Sequence, residues 1–207
     1  VLTGHASGVI TLNIREADEV AREQIRQRLD ERYRTLLGHF RHESGHFYWD
    51  ELLRDSAELD EFRRLFGDER ADYAEALAKH YAGGAPPDWQ ASFVSSYAAS
   101  HPWEDFAETW AHYLHISDSL ETASSFESIG VAAAPRDFDQ LVRAWVRLSL
   151  ALNSINRSMG LPDTYPFVLS GPSIEKLRFV DAVVRRAALH QPLSESVVGG
   201  LASGGAC

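Results

Sequence analysis

Tyr33-Arg34-Thr35-Leu36-Leu37-Gly38-His39-Phe40-Arg41-His42-Glu43-Ser44-Gly45-His46-Phe47-Tyr48-Trp49-Asp50-Glu51-Leu52-Leu53 is the stretch on which the fold turns. Leu36, Leu37, Phe40, Phe47, Tyr48 and Leu52 supply enough apolar positions for a core helix. Inside it, His42-Glu43-Ser44-Gly45-His46 reads H-E-x-x-H. Helical positions four apart lie on one face, one turn above the other. His42 and His46 therefore direct two imidazoles at one point, and Glu43 sits at the edge of that face. Gly45 is out of place by propensity, because glycine inside a helix costs about 1 kcal/mol relative to alanine. A close neighbour that needs the room would explain it.

Two histidines and a glutamate at this spacing suit zinc, with the glutamate as base toward a metal-activated water. A catalytic zinc takes three protein ligands and keeps one position for water, so a third ligand must come from elsewhere. The best source is Pro102-Trp103-Glu104-Asp105-Phe106-Ala107-Glu108-Thr109-Trp110. Glu104 and Glu108 share a helical face. One can ligate while the other hydrogen-bonds a ligand histidine from behind and fixes its tautomer. Glu104 stands in the first turn, where the helix dipole favours a carboxylate. His112 and His115 extend the same face, so ligation by Glu108 or His112 stays open. His39 shares the face of His42 and reads as a capping or packing residue. Arg41 reads as a partner for an acid near the site or as a solvated surface residue. Trp103, Phe106, Trp110 and Trp145 read as core aromatics. His5, His80 and His190 show no partner in sequence.

Outward from these blocks the chain is mostly helical. Gly8 to Ile14 alternates and is β-branched, and reads as one strand. Arg15 to Arg28 is charge-rich and reads as an exposed helix. Shorter helices are expected near Glu58 to Phe66 and Ala71 to Tyr81. Gly83-Gly84-Ala85-Pro86-Pro87 is a break, and a helix is expected from Asp88 to Ala99. Ser100-His101-Pro102 restarts the chain, with proline at a first helical position, and that helix is expected to run to about Ile116. Phe138 to Ser154 and Ser173 to Leu189 are amphipathic, joined by a loop over Gly160 to Pro172. The tail from Val197 reads as frayed.

The 207 residues suffice for one domain over 1–207 with a substantial core. Hydrophobic residues at 44% and charged residues at 24% are ordinary globular values. Thirty acids against twenty bases give a net charge of -10. That balance argues against nucleic acid as a partner and against an anionic membrane surface. It points instead to a cytoplasmic protein and to basic substrates. Cys207 is the single cysteine, so no disulfide framework or cysteine-based zinc site is expected. No apolar run reaches spanning length.

Here the sequence resembles a known group. His-Glu-Ser-Gly-His followed by Glu-Asp-Phe-Ala-Glu on a later helix looks like the gluzincin metallopeptidases, and the second block is similar to the glutamate helix of anthrax lethal factor. That resemblance implies Glu104 as the zinc ligand and Glu108 as its supporting residue. It also implies Tyr97, seven residues before the ligand glutamate, as the donor to the transition-state oxyanion. A closer resemblance covers roughly the first 120 residues. It rests on Thr3-Gly4-His5, the Ile10-to-Ile14 strand, Tyr33 to Arg41 leading into the motif, Tyr48-Trp49, Phe66-Gly67-Asp68-Glu69-Arg70-Ala71-Asp72-Tyr73 and the His101-to-His115 helix. These look like the bacterial zinc-binding metallopeptidases of the Mx type. Members often carry an amino-terminal zinc ribbon, which one cysteine cannot build, so that part is expected to be missing or removed.

The expectation is thus a mostly α (α+β), zincin-like domain with a short N-terminal strand or small sheet. It binds one catalytic Zn2+ through His42, His46 and Glu104, with Glu108 behind. It acts on a peptide or protein substrate with Glu43 as general base and Tyr97 on the oxyanion. Val9 to Ile14 is a candidate edge strand for an extended peptide. Two rival readings keep the metal: hydrolysis of a non-protein amide, and a non-catalytic binding module closed by a fourth ligand such as His39 or His112.

Overall fold

A computed structural model describes residues 4–6, 8–13, 17–18, 35–126 and 137–190. The expected exposed helix over Arg15 to Arg28 and the tail from Val197 fall almost wholly outside these residues. The expected N-terminal strand forms over Val9–Thr11, and an earlier strand pairs with it in a hairpin. β1 (Gly4–Ala6) pairs antiparallel with β2 (Val9–Thr11), with His5 opposite Ile10. Gly8, at φ 80°, supplies the backbone geometry that the tight turn demands.

Six α-helices follow among the described residues. α1 (Leu36–Leu52) starts at Thr35, whose hydroxyl accepts from the Gly38 amide at 2.9 Å. α2 (Leu59–Phe66) and α3 (Tyr73–Gly83) lie where the sequence places them. Asp72 caps α3 through the Glu75 amide. α4 (Pro102–Ser124) has His101 as N-cap and proline in its first turn. It runs eight residues past the expected end, because Ile116, Leu120 and Ala123 continue its buried stripe. α5 (Phe138–Ser158) starts at the Asp137 cap, and α6 (Gly171–His190) closes the described chain.

The expected helix over Asp88 to Ala99 does not form. The segment makes two short 3-10 turns, Trp89–Ala91 and Tyr97–Ser100. Ser95 offers its hydroxyl to the Ala98 amide at 3.1 Å, the kind of side-chain competition that draws backbone out of a helix.

α4 is the central element and packs against α1, α5 and α6. The core joins Trp49, Leu53, Phe62, Phe66, Phe106, Trp110, Ile116, Trp145, Leu177 and Val180. One expectation about α1 is corrected here. Leu37, Phe40 and Tyr48 are exposed, and the buried face of the helix is His42, Glu43, Gly45, His46 and Trp49. α1 turns its chemistry, not its apolar residues, toward α4. No helix among the described residues is long and apolar enough to cross a membrane.

Candidate metal centre

The site exists because α1 and α4 meet at Gly45. A Cβ there would lie 2.9 Å from the Ala107 Cα, 3.3 Å from the Ala107 carbonyl oxygen and 3.2 Å from the Trp110 Cβ. Only glycine admits that approach. It carries the first turn of α4 up to the face holding His42 and His46.

Three donor atoms converge in consequence. Glu104 Oε2 lies 3.0 Å from His42 Nε2 and 3.5 Å from His46 Nε2. The three ligand atoms all lie within 4.8 Å of one another, and all three residues are buried. Glu104 Oε2 is buried and accepts no hydrogen bond, a costly state for a carboxylate oxygen. Ligand atoms about 2.0–2.1 Å from a tetrahedral zinc stand about 3.3 Å apart, so two imidazoles and a carboxylate at these spacings fit that ion. Burial would raise the Glu104 pKa, but His42 and His46 hold it well below the usual carboxylate range. Burial lowers His46. Burial would lower His42 as well, yet Glu104 and Glu108 on either side raise it well above 6.5.

Behind the cluster, Glu108 Oε1 lies 2.7 Å from His42 Nδ1. In the neutral ring that a metal requires, Nδ1–H donating to that carboxylate leaves the lone pair on Nε2, facing Glu104. The other Glu108 oxygen accepts from Ser95 Oγ at 2.6 Å. Burial would push Glu108 up, but His42 holds its pKa at about 2. The two glutamates that spacing alone left interchangeable thus occupy opposite sides of His42.

Glu43 is buried beside the trio, and burial raises its pKa above 4.5. The His5 backbone on β1 opposes that rise. The Tyr97 ring lies 6.0 Å from the His42 ring, centroid to centroid. Tyr73 has its hydroxyl on Glu104 Oε1 at 2.6 Å. Trp103 lies against His46, ring centroids 4.0 Å apart.

Other sequence candidates go elsewhere. His112 is turned away, its Nδ1 2.7 Å from the Tyr165 hydroxyl, and His115 packs on Trp145. His39 and His112 are absent from the three-residue cluster among the described residues. Arg41 pairs with Asp118 on α4. Trp110 donates its indole N–H to Ser44. Tyr73 and Ser95 have no role that sequence reasoning could assign. Only Tyr73 carries a signal, as the last residue of the block that resembles the Mx-type enzymes.

Three comparisons bear on this geometry. The model of the family described as "Putative zinc-binding metallo-peptidase" matches residues 1–183. Uncharacterized proteins of Mycobacterium bovis and of two strains of Mycobacterium tuberculosis are each 52% identical to the chain over 196 residues. That match covers 91% of this chain and 58% of each relative, so the chain spans less than two thirds of their length. No solved structure gives a significant match.

Proposed function

We propose, from the premise that this chain belongs to the zinc-binding metallo-peptidase family, that it hydrolyses peptide bonds at the His42–His46–Glu104 site. The carrying observation is the convergence of His42 Nε2, His46 Nε2 and Glu104 Oε2 with Glu43 beside them. His42, His46 and Glu104 hold the ion, and Glu108 and Ser95 orient His42. Bound there, zinc supplies Lewis-acid chemistry, acidifying a water toward neutral pH and polarising a carbonyl.

Glu43 takes the proton from the attacking water and delivers it to the leaving amine. Burial raises its pKa, which makes it a stronger base toward the water's proton. Tyr97 is the proposed donor to the oxyanion. Removing one such donor typically costs on the order of 10²–10³ in rate. An extended peptide runs along the hairpin beside Glu43.

Glu43→Gln tests this reading. The variant is expected to bind one zinc, as wild type does, and to lose cleavage of a peptide library read by mass spectrometry. Equal cleavage by both proteins would remove Glu43 from the mechanism. Cleavage of non-peptide amides alone would move the substrate class.

A further inference from the structure

Glu104 uses its two oxygens differently. Oε2 faces the two imidazoles and accepts no hydrogen bond. Oε1 accepts from the Tyr73 hydroxyl at 2.6 Å. Tyr73 is held in that position by residues other than itself. His101 donates from Nε2 to the carbonyl of Ala71 and accepts the Trp103 amide at Nδ1, each at 3.1 Å. The start of α3 and the first turn of α4 are thereby tied together. Asp72 caps α3 immediately before Tyr73, and the Tyr73 ring meets His101 and Trp103 edge-on at 5.2 and 5.9 Å.

A carboxylate can bind a metal ion through one oxygen or through both. A catalytic zinc needs a free position for water and room to become five-coordinate as the carbonyl arrives. A second Glu104 oxygen on the ion would fill that room. We propose that Tyr73 is a positioning residue that keeps Glu104 a one-oxygen ligand, through Oε2, by occupying Oε1. The inference rests on the zinc site proposed above.

Metal coordination tests it directly. X-ray absorption of the zinc-loaded wild type is expected to give four nitrogen and oxygen neighbours, water included, and a second Glu104 oxygen there would overturn the proposal. Cobalt(II) in place of zinc is expected to show the intense visible bands of four-coordinate cobalt. Tyr73→Phe removes a single oxygen from a partly exposed ring. It is expected to weaken those bands toward a five-coordinate spectrum and to lower kcat about tenfold or more, with a smaller change in KM. A variant whose cobalt spectrum and zinc neighbours match wild type would overturn the role of Tyr73, even if its activity fell. Failure of the wild type to bind metal would instead sink the zinc reading itself.

Discussion

At the scale of single residues, the site depends on which atom of His42 each glutamate meets. Glu104 lies at Nε2 and Glu108 at Nδ1. A carboxylate at Nδ1 can hold the tautomer and the ring, while one at Nε2 is placed to share an ion with it. Outer partners of this kind typically cost 10–100-fold in metal affinity when removed. Glu108→Ala is therefore expected to weaken zinc binding within about that range, and Glu104→Ala, which removes a ligand, by more. Competition against a chromophoric zinc chelator measures both, and the reverse order would make Glu108 the ligand. The histidines and the two glutamates were legible in sequence because helical spacing alone puts them on shared faces. Tyr73 and Ser95 were not. Each meets the site from a different segment, and no local period signals a contact set by tertiary packing.

At the scale of elements, α1 and α4 form the site as a pair, and Gly45 sets their distance. The sequence disclosed that something presses on Gly45, but not that it is the backbone of Ala107. Alanine at 45 would recover about 1 kcal/mol of helix propensity. Its Cβ would nevertheless meet backbone atoms that cannot rotate away, at 2.9 and 3.3 Å. Overpacking of that sort costs about 1–3 kcal/mol, so Gly45→Ala is expected to be net destabilised and to bind zinc more weakly as the helices part. Gly83→Ala is the control, since nothing lies within 4 Å of a Cβ there. Urea unfolding of the metal-free proteins compares them, and equal midpoints would show that the helices adjust at no cost. The same limit of sequence explains the segment over Asp88 to Ala99. Its composition suits a helix, but Ser95 is committed to Ala98 and Glu108, and the Tyr97 turn forms in its place.

At the scale of the whole molecule, the C-terminal half holds the site helix from behind. Lys176 on α6 places its ammonium 2.6 Å from Asp105, the neighbour of Glu104, and 2.8 Å from the Ser92 carbonyl. It also lies 4.3 Å from the centre of the Phe93 ring. Tyr113 on α4 donates to Asp181 on α6 at 2.9 Å, a second tie between the same helices. The helices were legible as amphipathic, but not the ion pair, because its partners stand 71 residues apart. Removing one member of a buried pair strands the other charge, at about 3–5 kcal/mol. Lys176→Met is therefore expected to lose stability on that order at pH 8. The pH dependence identifies the cause. Burial pushes the Asp105 pKa up to about 7, even with Lys176 beside it pulling the other way. A folded-state pKa above the unfolded one means that ionisation opposes folding, so this group's contribution falls as pH rises from about 4 to about 7 and is then level. Without Lys176 the folded pKa moves higher, and the fall continues above pH 7 at up to about 1.4 kcal/mol per pH unit. Combining Asp105→Asn with Lys176→Met leaves no charge to strand and is expected to abolish that slope. Urea unfolding at pH 7, 8 and 9 reads all three proteins. If the single and double variants run parallel across that range, Asp105 is not the stranded charge, and α6 braces the site helix through its apolar contacts and the Tyr113–Asp181 hydrogen bond.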